Sequence, residues 1–305
     1  MMSSAFPGRL FEGSFKTMSR NFRTGCLILI FFILSCDGSG SSPSKSNMSG
    51  SQGSGKPSPL PTPTPTPTHT FSTTFQAVEN PISENGAFIT STTPGVNWSG
   101  LKLGGCGCKP VAPVAVTASG LAQSASYSNP NAGDALAVLT GSWGADQTAS
   151  IVVANIPPTN NGSEEVEIHL RTDPATGRGY EITWGYIDQR VKDGVIRRMI
   201  DKWLNAGVVK HDYILIVTWN GGGVMGAGAA YTVLVNNSGS QYAISPGDTL
   251  TASIQGNVIK MYRNGTMVIQ YTDTKNSFTS GNPGFGFNEG ATDSYGISSF
   301  SASSP

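Results

Sequence analysis

Between residues 149 and 273, stretch after stretch alternates apolar and polar side chains with a period close to two. The stretches are ASIVVANI (149–156), EEVEIHLRT (164–172), GYEITWGYI (179–187), YILIVTWNG (213–221), YTVLVNN (231–237), DTLTASIQ (248–255), VIKMYRNG (258–265) and MVIQYTD (267–273). That period belongs to a β-strand with one buried face. Turn sequences separate the stretches: Asp173-Pro174-Ala175-Thr176-Gly177, Ser245-Pro246-Gly247-Asp248, Gln255-Gly256-Asn257 and Asn264-Gly265. Asn-Gly is a strong hairpin signal, because both central positions of the tight turn need positive φ. Many short strands with regular turns predict an all-β fold, an antiparallel β-sandwich. One segment breaks the period. In DGVIRRMIDKWLNAG, Ile196, Met199, Ile200, Trp203 and Leu204 recur at helical spacing, which predicts a single amphipathic helix inserted at about 188–211. Asp193 can cap its start and Gly207 its end.

The N-terminus reads differently. The apolar run Cys26 to Leu34 would make a helix only ~13 Å long, too short for a hydrocarbon core of ~30 Å. With Lys16, Arg20 and Arg23 before it, it fits a signal peptide over residues 1–35. Met18 begins a more typical signal than Met1 does. Ile33-Leu34-Ser35-Cys36 resembles a bacterial lipobox, which implies cleavage before Cys36 and lipid on that residue. The expected localisation is the cell envelope, exported and lipid-anchored, with the membrane itself undecided. Residues 36–70 follow as a stalk, first Ser/Gly-rich and then KPSPLPTPTPTPTHT. Such a segment has little apolar surface to bury, and its alternating prolines favour an extended, semi-rigid spacer. His69 lies in this tract and is given no role.

Residues 71–305 are enough for one large β domain. Lys+Arg and Asp+Glu both number 19 and form no basic stripe, which excludes a nucleic-acid partner. After Cys26 and Cys36, only Cys106 and Cys108 remain, in GGCGCKP. They can stay as free loop thiols or close a strained disulfide. A redox role comes after these readings. No metal-ligand spacing accompanies them, and no metal ligands are assigned.

The order of ENPISENGAF, GADQTASIVV, GYEITWG, YILIVTWNG, GDTLTASIQGNVIKMYRNG and YTDTKNSFTSGNPGFGF resembles concanavalin A-like lectin/glucanase jelly rolls, in particular an uncharacterised bacterial branch. The resemblance spans roughly residues 74 to 302. It implies two curved sheets, one with a concave face able to hold a sugar chain. Calcium is compatible with this fold, yet no Asp/Asn run marks a site.

Laminarinase-type relatives carry Glu-x-Asp-x-x-Glu on a strand, and this chain has no such motif. The nearest pattern is EEVEIHLR. On a strand, Glu165, Glu167, His169 and Arg171 share one face, while Val166, Ile168 and Leu170 share the other. That face can be a solvated set of opposite charges, a polar binding face, or a polysaccharide hydrolase or lyase site. The aromatic and amide candidates for sugar contacts are Trp143, Trp184, Tyr186, Trp219 and Asn220; each can equally pack in the core or rim, and Trp184 alternates with Tyr180 and Ile182 as a core residue would. The Gly-rich stretch 220–230 lacks the Lys-Ser/Thr ending of a phosphate loop. Three functions follow as expectations: a non-catalytic glycan-binding or adhesion module, a polysaccharide-degrading enzyme, and a structural envelope protein with a partner-docking helix.

Overall fold

The computed structural model describes residues 69–98, 111–125, 134–156, 163–188, 210–220, 231–288 and 295–305. The expected signal peptide with Cys36, the stalk up to residue 68, Cys106 and Cys108, the inserted helix and the Gly-rich stretch after Asn220 lie outside these residues. Among the described residues no helix is long and apolar enough to cross a membrane.

The strands in chain order are β1 His69–Thr73, β2 Phe88–Thr90, β3 Val114–Val116, β4 Ala122–Ser124, β5 Ala135–Leu139, β6 Gln147–Asn155, β7 Ser163–Thr172, β8 Gly179–Asp188, β9 Lys210–Trp219, β10 Tyr231–Ser238, β11 Thr249–Gln255, β12 Val258–Arg263, β13 Thr266–Thr272, β14 Asn282–Asn288 and β15 Gly296–Ser304. A three-residue 3-10 turn, Ser240–Tyr242, follows β10. The eight alternating stretches are β6 to β13, each within a few residues of its expected bounds. The shorter strands had less to announce them. β2, β3 and β4 are three residues each. ALAVL in β5 is buried on both faces, so it does not alternate. β14, NPGFGFN, carries a proline and two glycines.

Two antiparallel sheets form the sandwich expected of a jelly roll. The first sheet has the order β13-β12-β11-β6-β15-β4-β3, with β1 also on β15; the second has the order β10-β9-β8-β7-β14-β5-β2. The chain passes from the first sheet to the second between β6 and β7. The late strands β14 and β15 then return to the middle of each. Sequence-distant strands such as β6 and β15, or β7 and β14, are thereby neighbours.

The main core lies between the sheets. Ile151, Leu250, Ile259 and Ile297 enter from the first sheet, and Val166, Ile168, Tyr180, Ile182, Trp184, Ile214, Ile216, Phe285 and Phe287 from the second. Phe285 sits among Phe75, Phe88, Phe287 and Phe300, with ring centroids 5.1–6.0 Å apart. Tilted and edge-on contacts of this kind each add about 0.5–1.5 kcal/mol beyond burial. On the far side of the first sheet, small hydroxyls pair across strands, as Ser150 Oγ does with Thr251 Oγ1 at 2.8 Å.

His69 is corrected from the stalk reading. It opens β1 opposite Ser304. Its ring stacks on Trp143 at 4.1 Å, and its Nδ1 lies 2.8 Å from the Ser142 carbonyl.

Candidate functional site

The strands β5, β7, β8, β9 and β14 of the second sheet are buried on both faces. Alternation sends Val166, Ile168 and Leu170 inward, as expected. It therefore sends Glu165, Glu167 and His169 to the outer face. A second apolar cluster lies on that face, with Leu136 and Val138 from β5 and Tyr213, Leu215, Val217 and Trp219 from β9; Trp98 and Val111 pack on it from connecting segments. The solvated-charge reading of the β7 face fails for this reason. Glu165, Glu167 and His169 are 7%, 1% and 3% exposed.

The turn Asp173 to Gly177 folds β8 back on β7. Its Asp173 carboxylate accepts from Ala175 N and Thr176 Oγ1. The hairpin register sets Glu181 opposite His169 and Thr183 opposite Glu167. Glu181 therefore joins the outer-face cluster. The sequence carried a signal for this: Glu181 is out of phase with Tyr180, Ile182 and Trp184, and the turn length sets its partner. Small residues make the room. Gly286 of β14 lies beside Glu167, and a methyl there would come within 2.5 Å of Glu167 Oε2 and 2.9 Å of His169 Nε2. Gly185 of β8 similarly gives way to the Tyr213 ring.

Each acid has its own surroundings. Glu165 accepts from Tyr213 Oη at 2.5 Å and from Asn288 Nδ2 at 2.6 Å. Burial raises its pKa, and these two bonds oppose the rise. Glu181 accepts from Thr183 Oγ1 at 2.6 Å and from the Trp219 indole N–H. Burial, with the charge of Glu165, pushes Glu181 up to about 8 despite those donors. Glu167 Oε2 lies 3.0 Å from His169 Nε2. Burial and then the neighbouring carboxylates Glu181, Asp134 and Glu165 hold Glu167 well above the usual carboxylate range. Burial pushes His169 down to about 3. The neutral forms are thus favoured at the centre of the cluster. Glu167 Oε1 and His169 Nδ1 are buried without a hydrogen-bond partner among the described residues.

A small cavity of about 10 Å³ reaches this cluster, with Val111, Asp134, Leu136, Glu167, His169, Glu181 and Trp219 in its wall. That is room for one water or ion rather than a sugar ring. Ligand atoms of Glu167, His169 and Glu181 lie within 4.8 Å of one another, as do those of Asp134, Glu165 and Glu167. Calcium prefers six to eight oxygens; only the second of these trios is all oxygen.

The other expected site residues scatter. Arg171 leaves the face because of a β-bulge: Thr172 pairs with Asn282 and His169 with Gly284, so β7 has one residue extra. Arg171 takes a φ of 50° there, and the bulge re-aims its side chain. Trp184 is 1% exposed in the inter-sheet core, which removes it as a sugar platform. Tyr186 keeps the parity of Trp184 and is half-buried. Trp143 lies outside the cluster, its Nε1 donating to the Thr140 carbonyl at 3.0 Å. Trp219 belongs to the outer face, edge-on to Tyr231 at 5.2 Å. Asn220 is exposed and donates to Thr232 Oγ1 at 2.8 Å. Glu181, Tyr213 and Asn288 are site residues that strand-by-strand reading missed.

No family model and no curated protein matches the chain. Among solved structures, it is similar to a carbohydrate-binding module, CBM66 of Bacillus subtilis, at 16% identity, covering 69% of this chain and 91% of that one with a TM-score of 0.40. It is similar to the Bacillus licheniformis β-glucanase at 13% identity, covering 77% and 98% with a TM-score of 0.44. It is also similar to the exoplasmic/lumenal domain of VIP36 in a Ca²⁺/Man3GlcNAc-bound form, at 12% identity, covering 60% and 77% with a TM-score of 0.37. At these identities and scores no residue role passes to this chain, and the jelly-roll assignment stands on its own strand order.

Proposed function

We propose that this chain is a glycan-recognising module, held at the cell envelope by a lipidated Cys36, with its recognition surface on the outer face of the second sheet. The observation that carries this reading is the Trp219–Tyr231 aromatic pair beside the exposed Asn220, where β9 ends and β10 begins. The amphipathic rings of Trp219 and Tyr231 suit the apolar face of a sugar, and the Asn220 amide suits its hydroxyls.

A hydrolytic reading has one observation of its own. Glu165 and Glu167 offer oxygens within 4.8 Å of each other. Burial raises Glu165 but two hydrogen bonds oppose the rise, whereas burial and like charge both raise Glu167. Environments that separate two carboxyl groups in this way suit a nucleophile and an acid. A lyase using the whole quartet loses Arg171, which is engaged elsewhere.

The full chain should retain at least one polysaccharide in a binding panel and release no product in the same wells. Tyr231→Ala should weaken that retention about tenfold, the effect of ~1.4 kcal/mol. Product release abolished by Glu167→Gln would replace recognition by hydrolysis, and no retention of any glycan would count against both. The anchor has its own test. Cys36→Ala should move the protein from the membrane fraction to the soluble fraction; persistence in the membrane would sink the lipid-anchor reading.

A further inference from the structure

We propose that Glu167, His169 and Glu181 form a site for a divalent cation of the zinc class, one that takes imidazole and carboxylate ligands together. The site goes beyond glycan recognition and does not depend on it. The first observation is the donor set itself: two carboxylates and an imidazole from adjacent strands, with ligand atoms within 4.8 Å of one another. Mixed nitrogen and oxygen donors suit zinc and its first-row relatives better than calcium or magnesium.

The second observation is independent of that clustering. Glu167 is 1% exposed and its Oε1 has no partner among the described residues; His169 is 3% exposed and its Nδ1 has none. Buried polar atoms are rarely left unpaired, since each orphan costs roughly 1–3 kcal/mol. A cation on the Glu167 carboxylate would satisfy its unpartnered oxygen, whereas a hydrogen-bond acceptor would not. His169 also has its other ring nitrogen 3.0 Å from a Glu167 carboxylate oxygen. That is close to the separation of two donor atoms sharing one ion at ~2.0–2.2 Å, so Nε2 and the Glu167 carboxylate are the groups placed to hold it. The third observation is space. The cavity of about 10 Å³ is bounded by these same three side chains, and it has the size of an ion or one water. Glu181 keeps lone pairs for the ion, because each of its oxygens accepts only one hydrogen bond among the described residues. Support from Thr183 and Trp219 would orient it, as outer-sphere partners orient carboxylate ligands.

The test is equilibrium dialysis of the full chain against zinc, manganese and calcium in separate arms, with metal content read directly and no glycan present. One zinc per chain is expected. Glu167→Gln and His169→Gln should each weaken zinc retention about 100-fold. Cobalt substituted for zinc should give a visible ligand-field spectrum that changes in His169→Gln. If a variant is misfolded by circular dichroism, the wild-type readout stands in: zinc should raise its melting temperature, and a chelator should reverse the rise. Cysteine thiols also hold zinc, so a chain with all four cysteines changed to serine should keep the metal. Retention of no metal, retention of calcium alone, or loss of zinc only in the cysteine-free chain would each overturn the proposal. Because glycan retention is scored separately, failure here leaves the recognition reading untouched, and the reverse holds.

Discussion

Arg171→Met should lower the unfolding free energy by about 3–5 kcal/mol, because three carbonyls lose a charged donor at once and each unmatched group costs roughly 1–3 kcal/mol. Arg171 is 2% exposed. Its Nε donates to the Ala145 carbonyl at 2.6 Å, its Nη1 to Phe278 at 2.8 Å and its Nη2 to Gly256 at 2.6 Å. Asp146 lies 3.6 Å from Nη2. One guanidinium thus ties the entry to β6, the β11–β12 turn and the segment before β14. Methionine keeps much of the apolar volume but leaves the carbonyls unmatched. Lysine should recover only part of the set, because its ammonium lacks the planar fork. Urea unfolding followed by tryptophan fluorescence measures the loss. A stable Arg171→Met protein with altered glycan retention would instead return Arg171 to the site.

With chelator present, the domain should lose about 2 kcal/mol of stability between pH 6.5 and 8. Glu181 has a folded pKa of about 8 against an ordinary 4.5. Across that window the folded state binds more protons than the unfolded one, so stability falls as pH rises. One and a half pH units for one proton give about 2 kcal/mol; Glu167 acts in the same direction. His169 has the opposite sign. Its folded value of about 3 lies below an ordinary 6.5, so its contribution rises with pH from 3 to 6.5 and then stays constant. Between 4.5 and 6.5 the two effects oppose one another, and the fall emerges above 6.5. Glu181→Gln should flatten it. Urea midpoints at pH 5, 6.5 and 8 decide the matter, and a rise in stability from 6.5 to 8 would refute the buried, protonated state of these carboxyl groups.

Much of the second sheet was legible in the local pattern of the chain. β7 and β8 showed their alternation, and the Asp173–Gly177 turn between them set which residues face which. The inward residues Val166, Ile168 and Leu170 followed directly. Three things did not follow. The burial of Glu165, Glu167 and His169 depends on Trp98, Val111 and the β5 and β9 side chains that lie on the outer face. Those contacts are distant in sequence, and alternation marks only which residues share a face. The departure of Arg171 depends on a one-residue bulge against β14, and a local period has no access to a partner strand more than a hundred residues away. Trp184 and Trp219 both stood among the sugar-contact candidates, and the alternation of Trp184 with Tyr180 and Ile182 already matched a core residue. The register placed Trp184 between the sheets and Trp219 on the outer face.

Sequence alone determined the strand periodicity, the turn positions and the all-β class, because side-chain alternation and turn chemistry are local properties of the chain. Tertiary structure decided the site. Bringing Glu181 beside Glu167 and His169, clearing space with Gly286, and closing the face with apolar groups are all acts of pairing and packing. Those acts turn three ordinary ionisable residues into a buried cluster with shifted protonation and with polar atoms unpaired among the described residues.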